Sequence, residues 1–222
     1  MSQQISLRVH SVKCVDETNG AWAERLGNDE IWLGGYTIAA NGDTQVIAPW
    51  EVYAGFDDND VKVFDPPRVF HTFTPSPVGY PQELALGLVL VEKDNGGMAD
   101  AIKAIAKLVT EQLKAALALP PSARMRPGLI GTMAIPVLKW ALGVVGPAVA
   151  REVQRRIMAA YNDDVFVPQH VTLSVPGPNM RFSGSNISAR SVLRFRDHDG
   201  IYELTYDWQI AGMVLNPGLN PG

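Results

Sequence analysis

Leu84-Ala85-Leu86-Gly87-Leu88-Val89-Leu90-Val91, running on into Glu92-Lys93-Asp94-Asn95-Gly96-Gly97, decides how this chain is read. The first eight residues make an apolar run of strand length. The next six make an acidic turn rich in glycine, and residues 98–119 then switch to helical spacing. There Ile102, Ile105, Val109, Leu113 and Leu117 recur every three or four residues, while Lys103, Lys107 and Lys114 fall mostly off that stripe. Strand patterns resume later, so the helix reads as an excursion from a β framework.

Working outward from this junction, residues 5–15 alternate apolar and polar side chains, the sign of a half-buried strand. Residues 30–40 and 45–56 read as two more strands around a turn at Asn41-Gly42-Asp43, with Pro49 placing the second at an edge or a bulge. An acidic loop starts at Asp57-Asp58-Asn59-Asp60 and closes at Asp65-Pro66-Pro67, before a strand at 68–74. After the helical part come strand patterns at 165–175, 189–196 and 201–210, the last two joined by Asp197-His198-Asp199-Gly200.

Between the β portions a second helical segment follows the first. Residues 129–149 carry only one charge, Lys139, and residues 151–161 close the segment. The expected fold is therefore mainly β: an antiparallel sandwich of about eight strands with an inserted two-helix hairpin. Residues 1–95 form its first part, 96–162 the hairpin, 163–212 the closing strands and 213–222 a tail.

Composition bounds the function. At 222 residues with 46% hydrophobic side chains, the chain can bury a large core. Its net charge of −4 gives no footprint for nucleic acid. The charge is uneven, however: residues 1–65 hold eleven acidic against four basic side chains, and residues 101–160 hold nine basic against two acidic. The lone Cys14 excludes an internal disulfide and cysteine-based metal clusters. The first ten residues carry no secretory signal, which implies synthesis in the cytosol and leaves release by a non-classical route open. No nucleophile elbow, phosphate loop, dinucleotide fingerprint or paired-histidine metal motif occurs.

The carboxylates are the candidate site. Asp16 and Asp29 bracket one loop, Glu92 and Asp94 leave the central strand two residues apart, and Asp100 follows in the helix. Calcium takes six to eight oxygens and accepts carboxylates from separate loops, so these five could converge on it. Ordinary turn and cap chemistry is the other reading, with Asp94 or Asn95 capping the helix and Asp100 favouring its N-terminal dipole.

The order of features resembles the calcium-dependent phospholipid-binding domain of synaptotagmins and conventional protein kinase C, the C-two fold. Asp29-Glu30-Ile31-Trp32-Leu33 is similar to the Asp-Pro-Tyr-Val-Lys-Val strand after that family's first calcium loop. Val91-Glu92-Lys93-Asp94-Asn95-Gly96-Gly97, followed by Asp100, resembles its third loop, Trp-Asp-x-Asp, with Glu92 where the family has aspartate. The resemblance implies a sandwich with calcium held by Asp16, Asp29, Glu92, Asp94 and Asp100, and a membrane surface as partner.

Three functions follow as expectations. The first is a non-enzymatic binding module, calcium-responsive, that recognises a membrane surface, a glycan or a protein. The second is a membrane-active or pore-forming protein whose hairpin inserts into lipid. The third is a hydrolase using Asp57, Asp60, Glu92 or Asp94.

Overall fold

A computed structural model describes residues 3–17, 29–93, 97–118, 142, 146, 152, 164–197 and 199–211. In chain order the elements are β1 (Gln4–Asp16), β2 (Asp29–Ile38), β3 (Thr44–Phe56), β4 (Val61–Phe73), β5 (Gln82–Glu92), α1 (Met98–Leu117), β6 (Asp164–Val165), β7 (Gln169–Val175), β8 (Ser191–Asp197) and β9 (Gly200–Ala211). The strands make two antiparallel sheets. Sheet A runs β4-β1-β9-β8, and sheet B runs β3-β2-β5 with β6 and β7 both along the far side of β5.

Three layers result: sheet A, sheet B and α1. β5 explains its own sequence, because both of its faces are buried. Leu84, Leu86, Leu88 and Leu90 point into the core between the sheets, together with Ile5, Leu7 and Val9 of β1 and Tyr202 and Leu204 of β9. Ala85, Val89 and Val91 point the other way, into a second core beneath α1. A strand covered on both sides needs no polar alternation, so it reads as a continuous apolar run. β1 and β9 belong to the outer sheet and alternate.

The stripe Ile102, Ile105, Val109 and Leu113 of α1 is fully buried on sheet B, whereas Lys103, Lys107 and Glu111 are exposed. Burying each such aliphatic side chain contributes about 1.5–3 kcal/mol. Polar contacts fix the register of the helix on β3. Thr44 Oγ1 donates to the Ala106 carbonyl at 3.1 Å and lies 2.8 Å from Thr110 Oγ1, and Lys114 pairs with Asp43 at 2.6 Å.

Three expectations are corrected. The expected span at 165–175 is two strands, because after the Phe166 amide, which still donates to the Leu90 carbonyl at 3.0 Å, residues 167–168 leave the ladder at Pro168, so nine strands are described. β4 begins at Val61, seven residues before its expected start: the Asp65-Pro66-Pro67 stretch stays inside the strand as an irregularity in its pairing with β1. The N-cap of α1 is Gly97, with no side-chain cap hydrogen bond. Of the expected two-helix hairpin, the structure describes α1 as a helix. The second segment lies outside the described residues apart from Leu142, Gly146 and Glu152, each helical, with Leu142 buried in the core beneath α1. The tail at 213–222 lies outside them too. Among the described residues no helix is long and apolar enough to cross a membrane.

Candidate functional site

The antiparallel order brings one set of strand ends together. β1 finishes at Asp16 and β2 starts at Asp29. β5 finishes at Glu92 opposite Ile31 of β2 and Asp164 of β6, and the 57–60 turn joins β3 to β4 at this same end. Asp16, Asp29 and Glu92 therefore share one end of the sandwich with Glu17, Glu30, Asp57, Asp58 and Asp60. Asp94 and most of the loop between Asp16 and Asp29 lie outside the described residues.

Several of these carboxylates have structural partners. Asp29 is buried and accepts a hydrogen bond from the hydroxyl of Tyr202, which is itself fully buried among the rings of Phe56 and Phe166. This bond ties β2 of sheet B to β9 of sheet A. Burial, and then the Asp29 carboxylate, raises the Tyr202 phenol. Burial also pushes the neighbouring Cys14 thiol up to about 12, with Asp29, Asp58 and Glu17 adding to it, so Cys14 is a protonated, inert thiol.

In the 57–60 turn, Asp57 Oδ1 accepts from the Asp58 amide at 2.8 Å and Asp60 Oδ2 from the Asp57 amide at 3.1 Å. Asp58 Oδ1 accepts from the Glu17 amide at 3.0 Å, which ties this turn to the end of β1. Glu30 accepts from Lys93 Nζ and from Trp32 Nε1, both at 2.8 Å, and these two hydrogen bonds lower its carboxyl below the ordinary value. Asp100 stands apart on the exposed first turn of α1 and pairs with Lys103 at 2.9 Å. Among the described residues, no three histidine, cysteine or acidic side chains form a group that could hold a metal.

Sequence reading missed a second polar cluster, on the outer face of sheet A. Arg8 of β1 stands opposite Asp207 of β9 and donates to it twice, from Nε at 2.9 Å and from an Nη at 2.8 Å. His10 Nε2 lies 2.8 Å from the same carboxylate. A β-bulge aims it there: Val9 and Ser11 have partners on both neighbouring strands, and His10 has none. On the β4 side four residues, 64–67, face this single bulged residue. Burial alone would raise the Asp207 carboxyl, but the hydrogen bonds and charges of Arg8 and His10 outweigh it and hold the group below the ordinary carboxylate value. The only signal in the sequence was the i, i+2 spacing of Arg8 and His10 at polar positions of an alternating strand.

A third polar contact crosses sheet B. The ring of Tyr36 lies over Gly87, which faces it on β5, and its hydroxyl reaches His170 Nε2 on β7 at 2.8 Å. Burial lowers His170 to about 4, so it is neutral at physiological pH. Comparison with protein-family models, curated proteins and solved structures gives no match to this chain.

Proposed function

We propose that the chain is a non-enzymatic binding module whose acidic end takes up calcium and so responds to it in meeting a membrane surface, a glycan or a protein. The observation that carries this reading is the arrival of Asp16 of sheet A and Glu92 of sheet B at one end, with Asp29 buried at that same end. A hard cation suits such a donor set because it accepts carboxylate and backbone carbonyl oxygens from several loops at once. Asp16, Glu92 and Asp94 are the direct ligands in this proposal. Asp29 acts through its bond to Tyr202, by fixing where β2 begins. Asp100, already paired with Lys103, contributes charge from the first turn of α1.

The test is thermal unfolding with and without millimolar calcium. A ligand that binds only the native state, at a hundred times its dissociation constant, adds about 2.7 kcal/mol. For a chain of this size that is a rise of roughly 5–10 °C. Glu92→Gln with Asp94→Asn should abolish the rise, and magnesium should give less of it. A wild-type melting curve unmoved by calcium would remove the metal from the reading.

A further inference from the structure

Among the described residues the two sheets have four edges; two contain proline and a third is bounded by it. β3 contains Pro49, β4 contains Pro66-Pro67, and the seven residues of β7 lie between Pro168 and Pro176. β8 has no proline and no bulge against β9, its one partner among the described residues. The segment before it prolongs the same edge after a one-residue shift in register: the Ser188 amide donates to the Trp208 carbonyl at 2.9 Å, and the Ile210 amide to the Asn186 carbonyl at 2.8 Å. In an antiparallel ladder alternate backbone groups point away from the neighbour, so this edge offers a row of donors and acceptors.

The side chains along it alternate in character. Leu193 packs against the core between the sheets and Phe195 is buried in it. Arg190, Val192, Arg194 and Arg196, at every second position, are all exposed, with Val192 at 59%. Arg190 and Arg196 make no ion pair with a described residue. Among the described residues Arg194 has one ion pair, an exposed contact with Glu203 at 3.6 Å. The strand is thus a basic stripe on a chain whose net charge is −4.

We propose that β8 is a docking edge for an extended acidic segment of a partner protein, which adds a fifth strand to sheet A. Backbone hydrogen bonds would supply register, and side chains would supply selectivity. The added strand has to place acidic residues opposite the arginines. Its alternate residues have to be apolar, because they extend the layer of Leu193 and Phe195. A second copy of this chain pairing through β8 is disfavoured, since arginine would lie opposite arginine in the antiparallel pair. The inference is independent of the calcium reading, and chelating calcium leaves it unchanged.

Three labelled synthetic peptides test it on the full chain: glutamate alternating with valine, the same composition with glutamates and valines in separate blocks, and lysine alternating with valine. Binding is read by fluorescence anisotropy and located by amide hydrogen exchange. The alternating acidic peptide is expected to bind and to slow exchange within 190–197. The block peptide should bind at least about tenfold more weakly, and the lysine peptide not at all. Arg190→Glu with Arg194→Glu and Arg196→Glu turns three attractions into three repulsions and should weaken the acidic peptide roughly a hundredfold. If that variant fails to fold, the three peptides on the wild type decide. Equal binding of the block peptide would mean general attraction to polyanions, anionic membranes included. That result, protection located elsewhere, or no binding of the alternating peptide would overturn the proposal.

Discussion

Asp207→Ala should cost about 3–5 kcal/mol of folding free energy, the range for breaking a buried ion pair from one side. The Asp207 side chain is 3% exposed, and those of Arg8 and His10 are 13% and 11% exposed. Removing the carboxylate leaves a guanidinium and an imidazole short of both solvent and counter-charge. Replacing all three by apolar residues of similar volume should be far milder, since nothing charged is then stranded. The pH dependence has a defined sign. Asp207 is lowered in the folded chain, so its contribution is present above its unfolded value and is lost as pH falls through its folded value. His170, neutral down to about 4, loses its contribution at higher pH, between about 6.5 and 4. The two separate when the variant's curve is subtracted from the wild type's. Denaturant unfolding from pH 7 to 2.5 measures both, and a loss below about 1 kcal/mol at pH 7 would show that Arg8 and His10 find other partners.

Gly35→Ala should be as damaging, or should prevent folding. A Cβ at Gly35 would lie 2.1 Å from the Gly87 carbonyl oxygen and 3.1 Å from the Phe70 ring. The first contact is with the backbone of the strand paired alongside, which cannot move without breaking the ladder between β2 and β5. At Gly87 the obstacle is a side chain: the added carbon would meet the Tyr36 ring at 2.2 Å. That ring is fully buried and held at its hydroxyl by His170. Displacing it should cost about 1–3 kcal/mol, the usual range for overpacking, and Gly35→Ala should exceed it. Soluble yield and melting temperature rank the two. A Gly35→Ala protein that melts like the wild type would mean that the β2–β5 pairing can yield.

Much of the β framework was readable where one local pattern decided it. The run at Leu84–Val91, the alternation in β1, the turn between β8 and β9 and the 98–117 stripe each follow from a single periodicity. β4 was cut short because Pro66-Pro67 reads locally as a loop, and only its pairing with β1 shows the strand continuing through. The site was harder for a similar reason. Strand ends could be inferred, and so could the gathering of Asp16, Asp29 and Glu92. That Asp29 turns inward to Tyr202 could not, because 173 residues separate them. Arg8 and His10 meet Asp207 across almost the whole chain, and no local spacing encodes such a meeting.

Synthesis on the ribosome turns that separation into a delay. Gln4 pairs with Ala211, and at about 5–20 residues per second β9 follows β1 by roughly 10–40 s. During that time β2, β3, β5 and α1 can already assemble, while the row of Leu84, Leu86, Leu88 and Leu90 waits for most of its cover and β1 keeps one side open. A nascent chain stalled after α1 has emerged should therefore be cut readily by protease, and the released full-length chain should resist. Equal resistance would mean that the first half closes on itself. Otherwise, for tens of seconds in every round of translation, this is an unfinished sandwich whose core stays open until its last strand arrives.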